Sequence, residues 1–351
     1  MAGKKGAPEI VENINRLLEF ETAGDPVTGL RWTQKTTKKI AEELSKIGIR
    51  VCPNTVARIL KELGFSLRTN QKNVSSSSVS EEVRDEQFKY ISRVRKFFAA
   101  AGHPIISIDT KKKEMIGNFK NPGKAWTKSP VKVNDHDFRS QSYGMAVPYG
   151  IYDTQANRGS VFIGTSSDTT DFSSDCLAKW YENEGQYRYP HSKELLILAD
   201  SGGSNGSRSR VWKHRLQEKL ANKFGLTITV CHYPPGCSKW NPIEHRLFSE
   251  ISKNWAAMPL VSYEVVLNYI STTTTSTGLK VEAYFLPKEY KKGVRVSSED
   301  MEAINITKHT IQPRQNYTIK PQVTRHAIPN KLDFFEEEQQ LVELVASGSN
   351  F

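Results

Sequence analysis

PIISIDT (104–110) and ELLILAD (194–200) decide the fold. Each is a short apolar run that ends in an aspartate, Asp109 in the first and Asp200 in the second. Runs without polar alternation read as strands buried on both faces, as in a sheet covered by helices. Working outward, EMIGNFK (114–120), AVPYGIYD (146–153), SVFIGTS (160–166) and LTITVCHY (226–233) predict further strands. DFSSDCLAKWYENEG (171–185), SRVWKHRLQEKLANKFG (209–225) and PIEHRLFSEISKNWAAM (242–258) predict helices. Antiparallel-looking strands followed by helix, strand, helix, strand, helix predict an α/β mixed sheet flanked by helices. That order suits a ribonuclease-H-like fold better than a doubly wound nucleotide fold, which would begin β-α-β.

Upstream, TTKKIAEELSKIG (36–48) puts Ile40, Ala41, Leu44 and Ile47 on one helical face, and PNTVARILKELG (53–64) does so with Val56, Ile59, Leu60 and Leu63. Asn54 is a candidate N-cap and Gly64 a stop. Two short amphipathic helices joined by a tight connection predict a small all-α helix-turn-helix domain, its second helix presenting Thr55, Arg58 and Lys61 to a DNA groove. The same pattern serves any small helical domain with solvated charges; Arg68 in the basic SLRTNQK that follows favours DNA. The expected organisation is a helical domain over 1–72, a Ser-rich linker (NVSSSSVS, 73–80) and connecting helix over 73–102, a catalytic domain over 103–280, and a C-terminal extension over 281–351. That extension ends in the acidic DFFEEEQQLVELV.

The 351-residue chain carries 49 Lys+Arg against 38 Asp+Glu, a net charge of +11, and 37% hydrophobic residues. It is therefore neither a disulfide miniprotein nor a mostly disordered chain, and its basic excess favours a nucleic-acid partner. The charge is uneven: residues 1–76 hold 13 Lys+Arg and 8 Asp+Glu, whereas 329–351 hold 1 and 5, so the acidic end masks a more basic remainder. Cys52, Cys176, Cys231 and Cys237 contain no C-x-x-C and read as reduced thiols. The start lacks the apolar core of a signal peptide, and no window approaches the roughly 18 apolar residues of a membrane span, so a cytoplasmic, nucleoid-associated protein is expected.

Asp109 and Asp200 sit where ligand sites gather on such sheets, at the carboxyl ends of strands. Either alone could be a turn residue. The third acid comes from NPIEHRLFSEISKNW (241–255), where Glu244 shares a face with Leu247, Phe248, Ile251 and Trp255, the stripe that must turn toward the sheet. Glu250, about 120° away around the helix, reads as solvated. Three converging carboxylates need a cation among them, and Mg²⁺ or Mn²⁺, as a pair of ions, suits an all-oxygen set and displacement at phosphorus.

Other candidates are weaker. DSGGSNGSR (200–208) lacks the ending of a phosphate-binding P-loop and reads equally as a strand-to-helix turn that admits a DNA backbone or as a plain structural turn. Cys231, His232 and Cys237 lack zinc spacing and a fourth ligand. His136 and Asp137 sit in a polar loop and read as structural. Arg208, Arg210, Lys213, Arg215 and Lys219 on one helix, with Lys239, would suit a phosphate track, although charged faces are usually only solvated.

SIDTKKKEMIGNFKN (107–121), the HDF at 136–138, PYGIYD (148–153), LLILADSGGSNGSRSRVWK (195–213), CHYPPGCSKWNPIEHRLFSEISKNW (231–255) and TTTTSTGL (272–279) resemble DDE transposases of the bacterial ISAzo-thirteen insertion-sequence family, akin to mariner-like elements. The resemblance spans about residues 25 to 320. It implies a ribonuclease-H-like domain whose acids fall on Asp109, Asp200 and Glu244, metal-dependent cutting and joining of DNA, double-stranded partners (transposon terminal repeats and target DNA), and a homodimer on paired ends. Ser201 stands where the family commonly has a further glycine, and only MAGKKG precedes the matching part where family chains usually carry another helical segment. A stand-alone metal-dependent nuclease and a transposase-derived DNA-binding regulator are the alternatives.

Overall fold

Leu195, Ile197 and Ala199 pack on one side of their strand, and Leu196 and Leu198 on the other. This is the two-faced burial that a continuous apolar run demands. The computed structural model describes residues 7–21, 23–24, 31–32, 36–65 and 80–322. They divide between two units, 1–75 and 76–351.

The first unit contains α1 (Ala7–Glu21), a short strand pair β1 (Ala23–Gly24) and β2 (Arg31–Trp32), α2 (Thr37–Lys46) and α3 (Pro53–Glu62). Ile14 and Leu18 of α1 meet Ile40, Ala41, Leu44, Val56 and Ile59 in its core. Two details depart from the sequence reading. Ile47 is 55% exposed, because α2 ends at Lys46 and Gly48, at φ 87°, turns the chain off the apolar face. Cys52, not Asn54, is the N-cap of α3, with Pro53 opening the helix, where its missing N–H costs nothing. Arg68, the Ser-rich stretch up to residue 79 and the acidic C-terminal segment lie outside the described residues.

The second unit opens with α4 (Glu81–Ala100), capped by Ser80, and continues through β3 (Ile105–Thr110), β4 (Glu114–Ile116), β5 (Gly144–Asp153) and β6 (Arg158–Gly164). Next come α5 (Thr170–Trp180), running through a π-turn into α6 (Gln186–Arg188), then β7 (Glu194–Ala199), α7 (Arg210–Leu216) and β8 (Thr227–His232). The chain ends its described part with α8 (Ser249–Asn254), α9 (Tyr263–Ser271), β9 (Lys280–Leu286), α10 (Ser298–Glu302), β10 (Ile306–Lys308) and β11 (Asn316–Ile319).

The sheet runs β10-β11-β8-β7-β3-β5-β6-β9, with β4 paired to β5. β3, β7 and β8 are parallel, while β5 is antiparallel to both β3 and β6. The expected mixed sheet flanked by helices is present. β9 joins β6 in parallel and the β10–β11 hairpin joins β8, so the sheet reaches past residue 280 at both edges. EMIGNFK gives a strand over Glu114–Ile116 alone.

One face carries α5 and α7, where Phe172, Trp180, Trp212 and Leu216 are buried. The other carries α4, and beside it the helix preceding and including α8. Among the described residues no helix is long and apolar enough to cross a membrane.

Candidate active site

The register places the first two acids. Ile108 on β3 pairs with Ala199 on β7, so the next residues, Asp109 and Asp200, leave adjacent parallel strands at the same level. Both line an open cleft of about 1010 Å³. One wall is the turn Ser201, Gly202, Gly203, Ser207 and Arg208; the other is formed by Pro234–Gly236 and by Gln312–Gln315.

The third acid arrives on a helix pressed unusually close to the sheet. Gly150 on β5 is the register partner of Asp109. A Cβ there would lie 2.5 Å from Phe248 Cε1 and 2.9 Å from Ile243 Cδ1, and one at Gly159 would lie 2.5 Å from Leu247 Cδ1. Two glycines thus let the helix bearing Glu244 approach β5 and β6, next to the strand that bears Asp109. Its first turn is a π-turn, Glu244–Phe248, which periodicity does not reveal. Leu247, Phe248, Ile251 and Trp255 are buried as expected and Glu244 is half-buried. Glu250 instead pairs with Lys253 at 2.7 Å and lines a separate cavity with Asn157 and His245.

Asn241, fully buried, ties these pieces together. Its Nδ2 donates to the Ile108 carbonyl at 3.2 Å and to Asp200 Oδ1 at 3.3 Å, and its Oδ1 accepts from Ser107 Oγ at 2.5 Å. Ser107 Oγ in turn accepts from Ile243 N at 3.0 Å. Sequence reasoning missed Asn241 and Ser107; the polar residue inside IISID was the only available sign. It also missed Asp168, which accepts from Thr110 Oγ1 at 3.1 Å and adds its charge to the field at Asp109.

These acids make no ion pair among the described residues. Burial, then repulsion from Asp200, pushes the Asp109 carboxyl up to about 8; Glu244 and Asp168 add to this, while the Thr110 N–H, at 2.7 Å, opposes it. Burial and then Glu244 push Asp200 up to about 6 against the Asn241 amide. Among the described residues no three His, Cys, Asp or Glu side chains converge closely enough to hold one ion together. Asp109 and Asp200 form the near pair, and Glu244 is felt by both through its charge.

The basic candidates separate into those that face solvent and those the protein itself uses. Arg208 lines the cleft. Lys239 lies over the Trp240 ring at 5.6 Å, and Arg58 and Lys61 are exposed on α3. Thr55 is half-buried, with Oγ1 3.2 Å from Cys52 Sγ. Arg210 donates to the Ser297 carbonyl at 2.7 Å, and Lys213 to the Ser207 carbonyl at 2.6 Å while lying over Tyr317. Arg215 pairs with Asp171 and Glu218, and Lys219 with Asp175. The predicted track along α7 is therefore not a continuous free basic face, because α7 packs against α5 and the turns that its cations brace.

His232 is fully buried, its ring nitrogens facing the carbonyls of Asn205 at 2.8 Å and Gln315 at 3.0 Å. The four cysteines are free thiols. His136 stacks on Phe138 and lies 3.2 Å from Asp135.

A family model described as the Rhodopirellula transposase DDE domain matches residues 13–321. Among solved structures, the chain is similar to the Mos1 transposase paired-end complex with left transposon end, with 15% identity, TM-score 0.41, and coverage of 74% of this chain and 69% of that one. It is also similar to the Mos1 strand transfer complex, with 16% identity, TM-score 0.39, and coverage of 74% and 68%. A search of curated proteins gives no match.

Proposed function

Because the chain belongs to the Rhodopirellula transposase DDE domain family, we propose that it is a DNA transposase whose acids are Asp109, Asp200 and Glu244. In this reading it binds the ends of a mobile element, hydrolyses a phosphodiester to free a 3′-hydroxyl, and joins that hydroxyl to target DNA. Residues 76–322 are read as a ribonuclease-H-like unit. The strand order supports this, with an antiparallel β3-β5-β6 meander continued by parallel β7 and β8.

The observation that carries the proposal is the pair of strand-end aspartates, at one level on adjacent parallel strands, half-buried and, among the described residues, without a counter-charge. Their mutual repulsion and their all-oxygen chemistry fit a hard divalent cation. Asp109, Asp200 and Glu244 would hold Mg²⁺ or Mn²⁺, as two ions. Such ions supply activation of the attacking water or hydroxyl and stabilisation of the leaving oxygen. The protein's own part is placement. Asn241 orients Asp200, Thr110 N–H orients Asp109, and the Gly150 contact sets the approach of the helix carrying Glu244. α2 and α3 are read as the helix-turn-helix, with Arg58 and Lys61 on its exposed face. Two copies would act together on paired ends.

The test is cleavage of a labelled DNA fragment carrying the gene's flanking ends, with Mg²⁺ or Mn²⁺, by the native protein and by Asp200→Asn. Discrete metal-dependent nicks at the element boundary that vanish in the variant are expected. Binding without cleavage by the native protein would replace the transposase with a DNA-binding regulator, and cleavage without joining would replace it with a nuclease.

A further inference from the structure

The second wall of the cleft comes from a part of the chain with no assigned role, the turn between β10 and β11. Gln312, Pro313, Arg314 and Gln315 line the same cleft as Asp109 and Asp200, across from Ser201–Gly203 and Arg208. Arg314 is exposed, and among the described residues neither it nor Arg208 makes an ion pair. Two guanidinium groups without carboxylate partners thus border a cleft whose floor is acidic.

The turn is also built more firmly than closing a hairpin requires. Gln312 adopts a left-handed φ of 46°, which costs a non-glycine residue about 1 kcal/mol or more. Its carbonyl accepts from Gln315 N at 2.7 Å and Asn316 N at 2.9 Å. Below it lies a buried amide network. Asn316 Nδ2 donates to the Ile311 carbonyl and to Gln87 Oε1, each at 2.7 Å, while Gln87 Nε2 donates to Asn316 Oδ1 at 2.9 Å and to the His232 carbonyl at 2.8 Å. The His232 backbone N–H donates to the Gln315 carbonyl at 3.1 Å. Gln87 and Asn316 are fully buried, and paired buried amides rigidify what they hold. The exposed tip, Pro313–Arg314, is therefore presented from a fixed base.

We propose that the 312–315 turn is a phosphate clamp, in which Arg314 contacts the backbone of the DNA strand lying across Asp109 and Asp200, opposite Arg208. The proposal rests on the transposase reading above and deepens it by naming how the strand is gripped. A phosphodiester is the ligand that matches both features: its charge answers the arginines, and a planar guanidinium presents a donor fork to phosphate oxygens. Arg314 is a binding residue and takes no part in the bond exchange.

The experiment measures the affinity of the full chain for a fluorescently labelled duplex carrying the element end, by anisotropy, over a series of salt concentrations. Ca²⁺ is present to suppress cleavage. The proteins are the native chain, Arg314→Ala, Arg314→Glu, Arg314→Lys, Arg208→Ala, and Lys253→Ala as a control on another surface. Each phosphate contact contributes about 0.9 to the slope of log affinity against log salt. Arg314→Ala is expected to lower that slope by about one and weaken binding several-fold, as is Arg208→Ala. Arg314→Glu should weaken binding further, Arg314→Lys should retain the slope with part of the affinity, and Lys253→Ala should match the native chain. Native affinity and slope in Arg314→Ala and Arg314→Glu, with a reduced slope in Arg208→Ala, would overturn the clamp and leave the transposase reading standing. A native chain that binds no duplex at any salt concentration would overturn both.

Discussion

The two ends of the central sheet each hold a cluster of acids partly or wholly withdrawn from solvent, and they are built in opposite ways. At one end Asp153, 1% exposed at its side chain, pairs with Arg188 at 3.0 Å and accepts from the Tyr189 hydroxyl and from the N–H groups of Gln155 and Ala156. Glu184 beside it takes the other arm of Arg188 at 2.9 Å and hydrogen bonds from Ser160 and Tyr284. At the other end Asp109 and Asp200 have amide donors but, among the described residues, no cation, and their carboxyls rise to about 8 and about 6. The register separates the clusters: Asp153 lies opposite Ile106 and Asp109 opposite Gly150, on the same antiparallel pair. A carboxylate that serves the fold is neutralised by the fold. One kept buried and unneutralised is held for a charge that comes from outside.

Substitutions should separate the ends, with the largest effect first. Asp109→Asn and Asp200→Asn are expected to abolish cleavage while leaving the metal-free protein folded, with an unchanged or raised melting temperature, because each replaces a carboxyl that costs free energy to ionise in the folded state. Asp153→Asn should do the reverse. It leaves Arg188 with Glu184 alone and weakens the hydrogen bonds that Asp153 accepts, and losing a partner in this way costs about 1 to 3 kcal/mol. Thermal melts and DNA cleavage on the same preparations check both.

A smaller effect concerns pH. The folded state holds protons on Asp109 and Asp200 that the unfolded chain releases near its ordinary value of about 4. Stability of the metal-free protein should therefore fall as pH rises from about 4 to about 8 and level off above that. Melts across this range should show the decline, Asp109→Asn should remove much of it, and added Mn²⁺ should flatten it. A stability independent of pH in the metal-free native chain would contradict the account of the unpaired end.

Smaller again is the glycine that brings the helix in. Gly150→Val forces a side chain into the Phe248 ring and Ile243. Overpacking of this kind costs about 1 to 3 kcal/mol. The outward shift of Glu244 should lower cleavage more than the loss of stability alone explains, which single-turnover rates measured below the melting range would show.

The strand-end acids were readable because a two-sided buried strand leaves an unbroken apolar run, and the residue that ends it is conspicuous. Glu244 was readable because its helical neighbours are large and apolar. Asn241, Asp168 and the 312–315 turn were not readable. They are polar residues in loops, and their roles come from partners far away in sequence, such as Asn241 with Ser107 and Gln315 with His232. The basic face of α7 misled for the complementary reason. Periodicity shows which charges share a face, but not that Asp171 and Asp175 on α5 lie opposite Arg215 and Lys219.

The central claim, that the unpaired end awaits a cation, is tested most directly by calorimetric titration of Mn²⁺ into the native chain and Asp109→Asn near pH 7. Running it in two buffers of different ionisation enthalpy counts the protons released. The native chain should bind Mn²⁺ and release protons, since a carboxyl titrating at about 8 is still largely protonated there, and the variant should lose both signals. A native chain that takes up no Mn²⁺, or a variant that binds it as tightly with the same proton release, would contradict the account.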